Sequence, residues 1–193
     1  MYGSRLVIFA AALSLGATHP LPAQAAATTR PAEIHGAAAA SDTTPAEAAK
    51  VMALVSSIPL AVDLGNYALA ETAFAPSVRV DYTSLWGGEP QQTTPAALMD
   101  AWRGIVPGFD ATRHELSDVR VRLSDTTAVA TAHVDGRHWL GARIWRPVGR
   151  YVWSLRKVDA RWQVTEMTFV LEREFGDRAL ASEAMARARR AAP

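Results

Sequence analysis

Four side chains could do acid–base chemistry together: Asp63, Tyr82, His114 and His138. Asp63 closes a helical stretch, Tyr82 ends a short apolar strand, and the two histidines fall in later β-type sequence. Removing a proton α to a carbonyl needs a base poised near neutral pH, and imidazole is the natural one. A carboxylate fixes the imidazole's tautomer and orientation, and a phenol stabilises the oxygen that gains charge. Elimination of water or migration of a double bond would follow, with no covalent intermediate and no cofactor. His133 shares a strand with His138, but an offset of five points the two to opposite faces, so His133 is read as outside the site. His35 lies in polar, Ala-rich sequence and reads as solvated. A metal site needs ligand spacing that these residues do not offer.

The elements that must position them follow from pattern. Thr44-Pro45-Ala46-Glu47 is a capping box with proline at the first helical position. Ala46, Ala49, Val51, Leu54, Val55 and Ile58 continue a helical stripe, and Pro59 is expected to kink or break it. Gly65 ends that segment. A second helix is expected over Asn66 to Phe74, with Leu69 and Phe74 inward, stopped by Pro76. Val78 to Tyr82 alternates as a half-buried strand, and a loop with Gly87-Gly88 runs to Thr93. Thr94-Pro95 opens a third helix whose stripe is Leu98, Met99, Trp102, Ile105 and Val106; Pro107-Gly108 ends it.

From Ala111 the pattern is β. Val119, Val121 and Leu123 alternate with arginines, and Ser124-Asp125 turns. A long strand is expected from Thr126 to about Trp145, with Asp135-Gly136 a bend or bulge rather than a hairpin turn. Arg150 to Val158 is the next strand. In the last one the apolar phase slips by one residue between Val164 and Met167, which predicts a β-bulge near Thr165-Glu166. Residues 177–191 read as a basic Ala/Arg helix, a solvated or frayed tail. Three helices followed by long, bent antiparallel strands make an α+β fold, a cone-shaped curved sheet closed by helices around a blind apolar pocket.

Composition sets the outer bounds. The chain has 193 residues, 49% hydrophobic and 20% charged, enough for one domain with a core. A net charge of +1 gives no global argument for nucleic acid. Its six tryptophans all lie between Trp86 and Trp162, which places the aromatic core or pocket there. With no cysteine, disulfides, thiolate chemistry and a lipoprotein anchor are excluded. Residues 1–25 read as a secretory signal: Arg5, an apolar run from Leu6 to Leu15 too short for the ~20 residues of a membrane span, and Ala23-Gln24-Ala25 as the cleavage pattern. Cleavage near Ala25 would leave no integral membrane segment. The Ala- and Arg-rich composition suits a high-GC bacterium, and so the periplasm. Residues 26–43 are Ala, Thr, Pro and Ser with few large apolar groups, a disordered tether. The folded domain then covers 44–175, and 176–193 is the helical tail.

Read together, Ala61-Val62-Asp63, Val78 to Leu85, Thr112-Arg113-His114, Gly136-Arg137-His138, Gly149-Arg150-Tyr151 and Arg156 to Trp162 resemble a SnoaL-like domain of the scytalone dehydratase-like branch, in the nuclear transport factor 2-like superfamily. The resemblance covers about residues 45–175. It implies the cystatin-like α+β cone, and a cofactor-independent lyase or isomerase acting on a small cyclic or polyketide-like carbonyl compound. It implies that Asp63 supports a proton-moving histidine, that Tyr82 polarises the carbonyl directly or through water, and that His114 and His138 are the two histidines, with His114 the foremost. Trp86, Trp102 and Tyr151 are candidate substrate contacts, with core packing the preferred role for the two tryptophans. The chain departs from scytalone dehydratase at Val62, where that enzyme has a second tyrosine, and at Gly149 and Tyr151, where it has serine and asparagine. Scytalone is therefore not the expected substrate. The second function class is a non-catalytic exported ligand-binding or assembly module on the same fold, which export favours. The partner in either case is a small hydrophobic molecule, and a homo-oligomer, dimer or trimer, is compatible with the sequence.

Overall fold

The computed structural model describes residues 45–191. The signal, the tether and the capping residue Thr44 lie outside the described residues. Helix α1 (Pro45–Asp63) and the one-turn α2 (Tyr67–Glu71) lead into β1 (Phe74–Asp81). The short α3 (Thr83–Trp86) and β2 (Gln91–Thr93) follow, then α4 (Pro95–Arg103) and a 3-10 turn, Val106–Gly108. Four long strands come next: β3 (Ala111–Leu123), β4 (Thr127–Leu140), β5 (Arg143–Val158) and β6 (Arg161–Gly176). Helix α5 (Ala179–Ala191) ends the chain.

One six-stranded sheet runs β2-β1-β6-β5-β4-β3. Only β1 and β6 are parallel; the other neighbours are antiparallel. Curvature enters through bulges. Ser154 faces Glu166 while Leu155 faces Val164, so Thr165 is the extra residue where the apolar phase slips. A second bulge places Val148 opposite Arg173 and Gly149 opposite Leu171. Gly149 is there because a Cβ would lie 2.1 Å from the Val170 carbonyl oxygen. A third, near Asp118 (φ 52°), bends β3 against β4. At Asp135-Gly136 there is neither a hairpin turn nor a bulge: β4 runs through both residues in unbroken register with β3.

Several boundaries differ from expectation. Pro59 neither kinks the segment into two helices nor ends it; α1 runs through it. Proline removes one backbone donor, but Val55, Ile58 and Val62 on either side are buried against the sheet, and tertiary packing outweighs that loss. By length and composition α1 could cross a bilayer, yet its Val51, Val55, Ile58, Ala61 and Val62 form part of the core. Helix α2 stops at Glu71, and Leu69 faces solvent, because Asn66 caps a single turn that points Tyr67 and Ala70 inward. Strand β1 starts at Phe74 and includes Pro76, which sits where the β1–β6 register is interrupted and so needs no donor. The Thr83–Thr93 loop contains α3 and β2. The long strand ends at Leu140 rather than Trp145: Gly141 (φ 61°) makes a two-residue turn, and β5 starts at Arg143. Helix α4 ends at Arg103, leaving Ile105 and Val106 in the turn beyond it.

The C-terminal helix is not a solvated tail. Leu180, Ala181, Ala184 and Ala188 are buried, and α5 packs on the 3-10 turn. Small residues allow that approach: a Cβ on Gly108 would lie 1.9 Å from the Ala184 carbonyl oxygen. Arg143 pairs with Glu183, and Arg187 with Asp110, at the edges of this contact.

At the other end, Glu47 holds α1 to the sheet. Its carboxylate accepts from Lys157 Nζ at 2.8 Å, Trp162 Nε1 at 2.9 Å and Lys50 Nζ at 2.7 Å. The Lys157 bond first, then those of Lys50 and Trp162, bring its pKa down to about 2. A carboxyl depressed in the folded state contributes stability above its unfolded value, lost as pH falls through the folded one. Glu47→Gln should therefore flatten the fall in melting temperature between about pH 5 and pH 2, measured by thermal unfolding across that range. An unchanged acid limb in the variant would rule out this role.

Candidate active site

The helix ending fixes the acid. Gly65, at φ 68°, lets its N–H reach the Val62 oxygen (3.0 Å) and the Asn66 N–H reach that of Ala61 (2.8 Å). Asp63 is thereby the last helical residue, with its side chain against β3. A helix C-terminus disfavours a carboxylate, so donors must offset it. Thr112 and His114, two apart on one face of β3, supply them. Asp63 Oδ1 accepts from Thr112 Oγ1 at 2.8 Å and pairs with His114 Nδ1 at 2.7 Å; Oδ2 accepts the His114 backbone N–H at 2.6 Å. Burial alone would raise the Asp63 carboxyl, but the His114 ring bond, the ring's charge, its N–H and the Thr112 hydroxyl outweigh burial and hold it below the usual value. With Nδ1–H donated to the carboxylate, His114 turns Nε2 toward the interior as an acceptor.

That interior is an apolar cavity of about 90 Å³. Its walls are Ile58, Pro59 and Val62 of α1, Trp102 of α4, Ile105, Val106 and Phe109 beside the 3-10 turn, and the inner face of β3–β6; Leu85 and Trp86 of α3 complete the lining. Gly136 leaves room for the imidazoles: a Cβ there would lie 3.2 Å from His114 Cδ2 and 3.4 Å from His138 Cε1.

His138 meets His114 edge-on, ring centroids 5.0 Å apart, and packs on Phe109 (4.9 Å) and Trp145 (4.7 Å). Its Nδ1 lies 3.3 Å from the Trp145 carbonyl oxygen. Burial, then the neighbouring His114 charge, brings its pKa down to about 3. It is therefore neutral near pH 7, a hydrogen-bonding wall with no cationic form to act as acid. His133 lies on the opposite face, half-exposed near Glu172.

Tyr82 follows β1 and precedes α3, whose turn is fixed by Asp81 accepting from the Thr83 N–H (2.9 Å) and hydroxyl (2.7 Å). Asp81 therefore caps α3. Ser84 pins the same turn to β6, donating to the Phe169 oxygen at 2.6 Å and accepting from the Leu171 N–H at 2.9 Å. Tyr82, Tyr151 and Trp102 all line the cavity. Burial, then Tyr151, pushes the Tyr82 phenol well above its ordinary value; burial pushes Tyr151 up to about 12. Tyr151 stands on β5 against Phe169 (5.3 Å) and Trp153 (5.1 Å). Trp86 lies half-buried against Trp145 (5.5 Å), with the Arg178 guanidinium 5.9 Å from its ring centre.

All seven side chains singled out from the sequence sit around this cavity: Asp63 behind His114, and the other six on its wall. Sequence reasoning gave no role to Thr112, Gly136, Phe109 or Trp145. The Thr112-x-His114 spacing was the visible signal for the first. Nothing local marks the others.

The SnoaL-like domain profile matches residues 44–168. The chain belongs to that family. No curated protein matches its sequence. Among solved structures, a Kribbella flavida protein is 22% identical, with a TM-score of 0.65, over 69% of this chain and 95% of its own. A candidate scytalone dehydratase from Novosphingobium aromaticivorans is 18% identical, TM-score 0.59, over 67% and 87%. A hexachlorocyclohexane dehydrochlorinase from Novosphingobium barchaimii is 12% identical, TM-score 0.58, over 67% and 89%. At these identities the likeness establishes the fold alone, a cystatin-like α+β fold with a curved sheet.

Proposed function

We propose that this SnoaL-like domain is a cofactor-independent acid–base enzyme, a dehydratase or isomerase, acting on a small, flat, apolar carbonyl compound. One observation carries the reading: the Asp63–His114 pair at 2.7 Å faces an apolar cavity also lined by two phenols. His114 Nε2 takes the proton α to the carbonyl, Asp63 stabilises the imidazolium that forms, and a tyrosine hydroxyl holds the oxygen that gains charge. Among the described residues no lysine, arginine, aspartate or glutamate lines the cavity, which suits a neutral substrate. The names of two structural neighbours, a candidate dehydratase and a dehydrochlorinase, are of the same elimination class. The N-terminal signal pattern supports export to the periplasm, with cleavage near Ala25.

The half-reaction is testable without the natural substrate. In D2O the protein should accelerate exchange of the α-hydrogens of 1-tetralone, a flat bicyclic ketone, followed by proton NMR. If several ketones of this kind bind but none exchanges faster than in buffer, the acid–base reading fails. The cavity then belongs to a ligand-binding module.

A further inference from the structure

Resting on that reading of the cavity, we propose that Arg178 is a positioning residue that latches α3 over the cavity, and that a ligand enters when this latch lets α3 swing. Size comes first. The cavity measures about 90 Å³. An apolar cavity of about 150 Å³ takes up benzene, and a bicyclic ketone is larger than benzene. Part of the wall must therefore yield. The paired strands β3–β6 and the buried faces of α1 and α4 cannot yield singly, and the 3-10 turn is held by its backbone contact with Ala184. Helix α3 is different. It is a single turn followed by Gly87 and Gly88, at φ 73° and 78°. A Cβ on either glycine would meet nothing within 4 Å, so the chain has room to turn there. Leu85 and Trp86 of α3 line the cavity, and half-buried Trp86 is cavity wall on one side and surface on the other.

The two ends of α3 are tied by different means. Ser84 pins its start to β6 through the Phe169 oxygen and the Leu171 N–H. Arg178 holds its end: Nη1 donates to the Leu85 oxygen at 2.7 Å, and the guanidinium lies 5.9 Å from the Trp86 ring centre. Glu174 aims that arginine. Its Oε2 accepts from Arg178 Nε at 2.9 Å and Nη2 at 2.7 Å, while Oε1 accepts from the Trp145 indole at 2.6 Å. One carboxylate thus fixes Trp145 directly and Trp86 through Arg178, and the two indoles pack 5.5 Å apart. The planar fork of a guanidinium satisfies a carboxylate and a carbonyl together. Arg178 is 46% exposed and Glu174 23%. An ion pair so close to solvent adds little stability and breaks readily. With it broken, α3 swings about Ser84, and the two glycines take up the change in backbone angle.

Arg178→Ala removes the latch. Glu174→Gln keeps an acceptor for the Trp145 indole but takes away the charge that aims Arg178. In both, 1-tetralone followed by stopped-flow tryptophan fluorescence should associate about 3–10-fold faster, and dissociate faster too. A residue that only shaped the wall would show in dissociation and leave association as it was. Arg143→Ala, which frees Glu183 on the same helix, is the control and should associate at the wild-type rate. Without ligand, the amides of residues 85–87 should exchange faster in Arg178→Ala, because opening frays a single turn. That measurement decides the matter even where 1-tetralone fails to bind. Association no faster in either variant, or amides at the wild-type rate, would overturn the latch. So would equal acceleration in Arg143→Ala, which reduces the effect to a loosened α5. Binding rates do not depend on proton transfer. Faster association with no α-exchange by any chain sinks the acid–base reading alone; α-exchange with unchanged association sinks the latch alone.

Discussion

His114→Ala should slow α-hydrogen exchange of 1-tetralone by about 10²–10⁴-fold, the usual contribution of a positioned general base. The fold should survive, because Asp63 keeps the Thr112 hydroxyl and the backbone N–H of residue 114 as donors. Asp63→Asn makes a sharper test. An amide nitrogen facing Nδ1 would donate to it, moving the imidazole proton to Nε2 and leaving no lone pair for the substrate. That change should cost on the order of 10²-fold while melting temperature moves little. Two controls separate base loss from a disturbed cavity. The affinity for 1-tetralone should stay within a few-fold in both variants, and 15N shifts of His114 should report the tautomer change in Asp63→Asn. Exchange that persists at the wild-type rate in His114→Ala would remove His114 from the mechanism.

How much of this was legible in the sequence depended on how local the cause was. The Thr165 bulge showed as a one-residue slip in apolar phase, and the outward turn of His133 followed from strand alternation. The pairing of Asp63 with His114 spans 51 residues and emerged from resemblance, not from spacing. Gly141 was misplaced as mid-strand because one glycine in an alternating run looks the same whether it bends or turns. Trp102 was assigned to packing or contact, and it does both: it packs on Phe74 and lines the cavity. His138 was ranked behind His114, but the sequence carried no mark of its burial. The aromatic cage of Phe109 and Trp145 around it, and the Asp63 carboxylate on His114, set the two apart.

Helix α5 shows the same limit at larger scale, and gives the second large effect. Its buried face is mostly alanine, which reads as helix propensity and not as core. Its partner is backbone: the Ala184 carbonyl lies where a Gly108 side chain would be. Gly108→Ala puts a methyl 1.9 Å from that oxygen, and neither the 3-10 turn nor the helix can yield by rotating a side chain. Overpacking of this kind costs about 1–3 kcal/mol, and here both partners are main chain, so the upper end is expected. The melting temperature should fall by roughly 2–4 °C per kcal/mol in a domain of this size. The effect should also reach the cavity, because Val106 in that turn and Ile105 and Phe109 on either side line it, and Phe109 packs on His138. Weaker 1-tetralone binding should accompany the lower melting temperature, and amide exchange across residues 179–191 should quicken. A chain ending at Gly176, which lacks α5, should reproduce the weaker binding and the lower melting temperature. If Gly108→Ala melts with the wild type and the α5 amides are unprotected in both, the helix is the solvated tail that its composition suggests, and the wall of the cavity does not depend on it.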